Sequence, residues 1–579
     1  MGAVTPGDFL PIDDRLADFL ARSASAEKNA VRDAVRLLSR AVRLGNVCLL
    51  LSECGGDSIG PALRASGVVG EPGSAFPLIL DGSGRLYLNR FRRYEEEVAR
   101  FLREGAVAAV DPVDRKALDS GLARLFAPEG GAVPDMQREA AAKAVLKRVS
   151  VVSGGPGTGK TTTVVKMLAL LLEQAGEKPL DIALAAPTGK AADRLKKSIV
   201  KSVEDSTSLN VDQRVRDRIP REASTIHRLL GAGFGGRFSR GPENPLPYDV
   251  VVVDEASMID LPMMARLVAA MPRDSRLILL GDKDQLASVE AGTVFADICE
   301  AAGRFSECIS VLTRNYRFGD ESPIALLSSA IRAGKGEEAL ERLRSGGGDV
   351  IEWEDLPPTP EEMERFLRPR VLVGFSPFLK EGTAEKAFEA FGRFRILSAH
   401  REGTYGVSGL NELAEKILSR ERLIHRDGSA HYPGRPILIL RNDRALRLSN
   451  GDTGIVLRDP SDGRMKAFFP PAEEKQAKKG GEPKSEFRTI PLPRLPKHET
   501  AWATTVHKSQ GAEFGEVLLF LGPSESGLVT RELLYTGITR ARSRVTVVSD
   551  PEAFEDAVAR PVDRHSGLSN LLTKPVEVS

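Results

Sequence analysis

The sequence predicts an α/β protein with two parallel-sheet units, a small α+β unit ahead of them, and a small β insertion in the second sheet unit. Three observations carry this expectation. β-Branched runs alternate with helical stretches over residues 113–304 and again after residue 394. Residues 151–161, Val-Val-Ser-Gly-Gly-Pro-Gly-Thr-Gly-Lys-Thr, pass from such a run through a glycine turn into a helical stretch. Between 452 and 498 the alternation gives way to short strands and a polar, charged loop.

Residues 1–112 read as the α+β unit. Residues 26–44 and 94–102 are expected as helices, 47–53 as a buried strand, and 77–90 as a hairpin with an Asp-Gly turn. Asp111-Pro112 marks the boundary. In the first sheet unit, 113–304, the strands are expected at 149–154, 182–188, 250–256 and 276–282. The Gly- and Pro-rich stretch at about 231–247 reads as a hairpin insertion, and either a strand-separating pin or a surface loop fits it. In the second unit, 305–579, strands are expected at 394–400, 434–443, 500–508, 516–522 and 543–550. Residues 452–498 read as an inserted SH3-like β-barrel. Strands of a parallel sheet joined by helices need both faces covered, which explains their nearly continuous apolar character.

Composition narrows the function classes. A chain of 579 residues, 41% hydrophobic and 28% charged, is several globular domains. Its net charge of +1 gives no global basic signature, so any nucleic-acid site must be a local groove. No run of about 18 apolar residues predicts a membrane span. The first residues are acidic where a leader would be basic, and Pro6 breaks a myristoylation signal at Gly2. Cys48, Cys54, Cys299 and Cys308 have no metal-ligand spacing and are too sparse for a disulfide framework. A reducing cytoplasm is the expected compartment.

The chemistry concentrates at the glycine turn, which has the phosphate-loop pattern in its strand–loop–helix setting. Gly154, Gly155, Pro156, Gly157, Thr158 and Gly159 allow the backbone to close around phosphate oxygens, with Thr162 just beyond. The helix N-terminus adds positive potential. Lys160 would reach the β- and γ-phosphates of ATP, and the Thr161 hydroxyl would hold Mg²⁺. Asp254 and Glu255 end a buried strand: Asp254 is expected to hold Mg²⁺ through water, and Glu255 to activate the attacking water. Gln285 follows the next strand and is placed to sense the γ-phosphate. Arg317 and Arg540 are candidate cations for the transferred phosphoryl group, and Tyr316 offers a ring for adenine.

An ordered series of words follows: Gln137 in DMQREAA, GGPGTGKTT, APTGKAA, STIHRLLG, VVDEASM, GDKDQL, LTRNYRF, ATTVHKSQGAEF and LLYTGITRAR. This series resembles the motifs of superfamily 1 DNA helicases over roughly residues 130–560. STIHRLLG, GRPILILRNDRALRLSNGDTGIV and the late Arg564-His565-Ser566-Gly567-Leu568 resemble the RecD family within it. The resemblance implies two RecA-like P-loop NTPase domains with ATP between them. Gln137 would read the adenine edge, and Arg317 and Arg540 would come from the second domain. Ser509, Gln510 and Glu513 would link ribose and phosphate contacts to DNA. Pro187, Thr188, Lys190, Thr225, His227, Thr505, His507 and Lys508 would contact single-stranded DNA.

The resemblance further implies 5′→3′ helicase activity in double-strand break repair and homologous recombination. The segment before the phosphate loop resembles the RecBCD (exodeoxyribonuclease V) subunit rather than a stand-alone RecD-like repair helicase. RecB-like and RecC-like partners in a heterotrimer, with the nuclease on a partner, and single-stranded DNA at duplex ends are then expected. Residues 1–112 would dock on the RecC-like subunit. A regulatory ATPase-like subunit with little turnover and an RNA helicase are the competing classes. His400, His425, His431, His498, His565 and Trp502 are expected to be ordinary structural residues.

Overall fold

The computed structural model describes residues 8–54, 58–108, 112–126, 135–205, 209–317, 319, 321–426, 429–443, 445–471, 487–523 and 529–574. Asp111 of the expected boundary, Phe318 of LTRNYRF and most of the polar loop (472–486) lie outside these residues.

The first sheet has six strands, all parallel. Their order is Ile309–Leu312, Val149–Gly154, Arg276–Gly281, Val250–Val253, Ile182–Ala186 and Ser224–Thr225. The four expected strands form its middle. Ile309–Leu312 pairs with the strand that enters the phosphate loop, so the first sheet takes an edge strand from beyond residue 304. Helix Lys160–Ala175, buried along most of its length, covers one face together with helix Met136–Leu146.

The expected hairpin at 231–247 has no laddered strands among the described residues. Isolated bridges Ala232–Phe238 and Gly241–Asn244 hold it instead. Gly235 and Gly236 sit at φ +72° and +76°, and glycines this dense give a strand nothing to pack.

Residues 8–107 bring helices Pro11–Ser23 and Lys28–Arg43 together with a four-stranded sheet, ordered Leu49–Leu50, Arg85–Leu88, Leu78–Leu80, Val69–Gly70. The expected strand at 47–53 is only Leu49–Leu50, followed by a 3₁₀ turn over Leu51–Glu53. The hairpin turn forms as expected, with Asp81 accepting from the backbone N–H groups of Ser83 and Arg85.

Helix Asn89–Val107 is longer than its sequence pattern suggested. Its Phe91, Val98 and Leu102 share one core with Val151, Val253 and Met264 of the first sheet unit and with Leu568, Leu571 and Leu572. Each such side chain contributes about 1.5–3 kcal/mol when fully buried. A division at residue 112 therefore cuts through a shared core.

Residues 564–568 clasp this body. His565 N–H donates to Asn46 Oδ1 at 2.8 Å, and Val47 N–H donates to the His565 carbonyl at 2.9 Å. The His565 ring lies 2.9 Å from Glu53. Arg564 donates to the carbonyls of Ser288 and Glu290 at 2.7 and 3.2 Å. Ser566 Oγ and Gly567 N–H both donate to one oxygen of Glu95, at 2.9 and 2.7 Å. Burial pushes the Glu95 carboxyl up to about 7 and the nearby Asp297 carboxyl up to about 6.

The second sheet is also wholly parallel, ordered Ile351–Asp355, Ala541–Ser549, Phe514–Gly522, Phe394–Ser398, Ala503–Thr505. The edge strand Ile351–Asp355 has no counterpart among the expected strands. The expected strand at 434–443 is not part of this sheet. Pro436–Ile439 joins an antiparallel sheet ordered Arg488–Pro491, Met465–Phe469, Thr453–Arg458, Pro436–Ile439, His498–Thr500. All four residues of Pro436–Ile439 are buried, so periodicity alone could not tell it from a parallel-sheet strand. The insertion thus begins earlier than residue 452. It has its own core of Ile437, Ile439, Val456, Phe469 and Ile490. Trp502 is fully buried among Phe375, Phe378 and Phe391.

Candidate functional site

The phosphate loop joins strand Val149–Gly154 to helix Lys160–Ala175. Gly157 and Gly159 sit at φ +85° and +78°, a conformation that costs any other residue steric strain. A Cβ at Gly157 would lie 2.6 Å from Arg317 Cβ and 2.7 Å from Asn315 Oδ1. One at Gly155 would lie 2.7 Å from the Tyr535 hydroxyl. Residues from both sheet units therefore press on this loop.

Gln137 donates to the Thr158 carbonyl at 2.9 Å. Asn315 donates to the Pro156 carbonyl at 3.2 Å, and Tyr316 N–H to the Gly157 carbonyl at 2.8 Å. The Tyr316 ring is half exposed, with the Arg314 guanidinium 5.0 Å from its centre. Lys160 lies across the loop and donates to the carbonyls of Gly154 and Gly155. Thr161 is half-buried and Thr162 exposed in the first helical turn.

Asp254 follows strand Val250–Val253 and accepts from the Glu255 N–H at 2.9 Å. Burial and the adjoining Glu255 raise the Asp254 carboxyl to about 6 against the pull of Lys160. Glu255 itself sits at φ +53°, a left-handed position that a side chain rarely adopts. Such local strain is characteristic of functional turns. Loop glycines that leave backbone room, with a lysine aimed across them, fit a polyphosphate. The Thr161 hydroxyl and Asp254 carboxylate fit the hard oxygen donors that Mg²⁺ takes.

Asp282 is the hub between the two sheet units. Gln285 Nε2 and the Tyr535 hydroxyl both donate to its Oδ2, each at 3.0 Å. Leu286 N–H donates to Thr536 Oγ1 at 2.9 Å, and Gln510 Nε2 donates to the Leu286 carbonyl at 2.8 Å. The turn carrying Gln285 is thus wired to two motifs of the second unit.

The two arginines lie on different units. Arg317 leaves the edge strand of the first sheet rather than the second sheet unit. Its guanidinium donates to Glu513 Oε1 at 2.7 Å. Arg540 is 1% exposed and donates to the carbonyls of Thr536 and Ala512, at 3.0 and 3.2 Å, within its own unit. A buried guanidinium needs acceptors, and these carbonyls are the nearest.

Glu513, expected with Ser509 and Gln510 to link ribose and phosphate contacts to DNA, receives three arginines: Arg194, Arg317 and Arg542. Burial alone would raise its carboxyl, but Arg194 and Arg317 overcome this and hold it down at about 2. Arg194, Asp282 and Tyr535 escaped the sequence reading. Arg194 stands just past APTGKAA, and Asp282 and Tyr535 lie inside motif words without a distinctive residue type to mark them.

The candidate nucleic-acid residues cluster at strand ends. Thr188 follows strand Ile182–Ala186 and Pro187, and its hydroxyl accepts from Ala191 N–H at 3.2 Å. Thr225 ends the adjoining strand and accepts from Arg228 N–H at 3.2 Å. Thr505 ends the second sheet's edge strand and accepts from Lys508 N–H at 3.3 Å. Each oxygen thus acts as a cap while its O–H remains a donor. Burial lowers the Lys190 amine to about 8, with Arg395 adding to it. Lys508 pairs with Glu499 at 2.6 Å. His227 and His507 are exposed in part and held below the usual histidine value by desolvation, with Arg564 adding for His507.

A phosphate loop on one parallel sheet, wired across a cleft to a second, defines a P-loop NTPase of the superfamily 1 helicase fold. Residues 137–291 match the AAA domain family, and 500–548 match the UvrD-like helicase C-terminal domain. The chain is 38% identical to the RecBCD enzyme subunit RecD of Mycolicibacterium smegmatis, over 97% of each chain, and it belongs to the RecD family. It is 30% identical to the ATP-dependent RecD2 DNA helicase of Deinococcus radiodurans, over 83% of this chain and 57% of that one. A Bacteroides Pif1 helicase structure with ADP-AlF3 and single-stranded DNA is similar over 73% of this chain and 93% of its own, at 20% identity and a TM-score of 0.35. Among the described residues, no helix is long and apolar enough to cross a membrane.

Proposed function

We propose that this chain is an ATP-dependent 5′→3′ single-stranded DNA translocase and helicase, acting as a motor subunit beside RecB-like and RecC-like partners. The observation that carries this reading is the double link from Asp282 and Leu286 to Tyr535, Thr536 and Gln510. It joins the turn beside the phosphate loop to the second sheet unit, as a motor that converts nucleotide state into domain movement requires. Near full-length similarity to RecBCD subunits favours the subunit over a stand-alone helicase. The intact set Lys160, Asp254, Glu255, Gln285, Arg317 and Arg540 favours turnover over a purely regulatory role. Direction of travel follows the family.

In this reading Lys160 exchanges its two backbone carbonyls for phosphate oxygens, and Thr161 and Asp254 hold Mg²⁺. The ion, when bound, neutralises charge on the phosphates. Glu255 orients the attacking water and takes its proton. Arg317 turns from Glu513 toward the phosphoryl group, and Gln137 and Tyr316 hold the base. Arg540 keeps the motif around Ala512 in place. Pro187, Thr188, Lys190, Thr225, His227, Thr505, His507 and Lys508 form the path for the strand, where hydroxyl and amine donors suit backbone phosphates. We read the inserted antiparallel sheet as SH3-like, and the surface of residues 8–88 as the face toward the RecC-like subunit.

Glu255→Gln tests the motor chemistry. It keeps shape but removes the base, so ATP affinity should hold while DNA-stimulated turnover collapses. Loss of affinity would make Glu255 a binding residue instead. Co-purification with RecB-like and RecC-like proteins tests the subunit assignment.

A further inference from the structure

Helix Gly189–Glu204 has one end at the candidate strand path and, one turn later, a residue at the carboxylates of the cleft. Thr188 caps it and Lys190 lies in its first turn. A Cβ at Gly189 would lie 3.1 Å from Ser449 Oγ of the inserted sheet, and one at Gly511 would lie 3.7 Å from Ala191 Cβ. This end therefore touches both the insertion and the ATTVHKSQGAEF motif. Lys190 and Arg194 are four residues apart and share a helix face, about 6 Å along the axis.

Arg194 pairs with Glu513 of the second sheet unit, and its other terminal nitrogen lies 3.9 Å from Glu255 of the first. It uses the same oxygen, Oε1, that Arg317 uses at 2.7 Å. Arg542 takes Oε2 at 3.2 Å. One carboxylate thus faces three guanidinium groups, and two of them compete for one oxygen. Any shift of Arg194 changes how firmly Glu513 holds Arg317. A helix turn is stiff, so force on the Lys190 end reaches Arg194 directly.

We propose that Arg194 is a positioning residue that couples strand occupancy at the Thr188–Lys190 end to the nucleotide site, by sharing Glu513 with Arg317 and facing Glu255. The proposal rests on the helicase reading above. In it, a strand drawing on the helix N-terminus moves Arg194 relative to Glu513, and Arg317 is freed toward the nucleotide.

The test uses the full chain and compares wild type, Arg194→Ala and Arg194→Lys. The affinity of a fluorescent, non-hydrolysed ATP analogue is measured with and without saturating oligo(dT), and oligo(dT) affinity by anisotropy. DNA-stimulated turnover is measured alongside. In wild type, oligo(dT) should change nucleotide affinity by at least about threefold, a coupling that linkage makes reciprocal.

Arg194→Ala should bring that factor close to one and lower DNA-stimulated turnover about tenfold or more. Each ligand's affinity alone should stay within about threefold. Arg194→Lys keeps the charge without the planar fork and should fall between. The Arg194 side chain is 42% exposed, so its removal leaves no buried cavity. Equal coupling in wild type and Arg194→Ala would overturn this proposal alone. Loss of oligo(dT) affinity in Arg194→Ala would make Arg194 a strand contact, which also overturns it. A wild type with neither coupling nor DNA-stimulated turnover would overturn the helicase reading and this proposal with it.

Discussion

The Tyr535 hydroxyl donates to the buried Asp282 carboxylate across the cleft, at 3.0 Å, and Gln285 donates to the same oxygen. Tyr535→Phe removes the donor from the second unit and leaves Gln285 on Asp282 Oδ2, with the Asp284 N–H on the other oxygen. A lost hydrogen bond to a buried charged group costs about 1.5–3 kcal/mol. DNA-stimulated turnover should fall about tenfold or more, with ATP affinity nearly unchanged. Parallel titrations of both check this, and unchanged turnover would make the contact incidental.

Lys160→Gln preserves length but removes the charge over the phosphate loop. ATPase should drop by about 10³-fold or more, as loss of a key electrostatic group does. Hydrolysis near the wild-type rate would move the nucleotide site elsewhere.

Arg317→Ala and Arg540→Ala should separate. Arg317 pairs with Glu513 at 2.7 Å from a partly exposed position, so its loss should lower turnover with the thermal midpoint largely preserved. Arg540 holds two backbone carbonyls from a buried position, and its loss should cost about 3 kcal/mol of stability as well as activity. Thermal unfolding beside kinetics distinguishes them; a stable Arg540→Ala protein would contradict the anchoring role.

The clasp at Glu95 should weaken as pH rises. Its carboxyl titrates near 4.5 when unfolded and is raised by burial to about 7 in the fold, and Asp297 shifts the same way. Between these values the folded state keeps a proton that the unfolded chain has lost. Stability is therefore full below about pH 4.5 and declines up to about pH 7, by roughly 3 kcal/mol for Glu95. Glu95→Gln removes its part of this decline, so its stability relative to wild type should grow from pH 5 to pH 8. A pH-independent difference in unfolding midpoints would refute the assignment.

Deleting residues 1–112 should unfold the first sheet unit, because Phe91, Val98 and Leu102 leave its core. Deleting only 1–44 should spare that core. Circular dichroism and nucleotide binding of the two truncations would show the contrast, and a folded, ATP-binding 113–579 fragment would contradict it.

Much of the fold was legible because both sheets are built from strongly apolar strands in alternation with helices. Three misreadings have physical causes. Pro436–Ile439 is as apolar as a central strand, and only its partners reveal an antiparallel sheet. Ile309–Leu312 and Ile351–Asp355 are edge strands, where one-sided pairing weakens the pattern. The phosphate loop and the Asp254-Glu255 pair were readable because their chemistry demands particular residue types in sequence. Arg194, Asp282 and Tyr535 were not, since their significance lies in meeting residues far away in the chain. Arg540 and Glu513 show the converse: their motif words are recognisable, but their contacts depend on burial.

The clasp also bears on how the protein is made. The first sheet's core includes Leu568, Leu571 and Leu572, while the second sheet is formed by the chain between. During synthesis, the nucleotide-loop body must wait, lacking part of its interior, until the whole second unit has left the ribosome. Its exposed apolar surface makes it a natural client for chaperones over that interval.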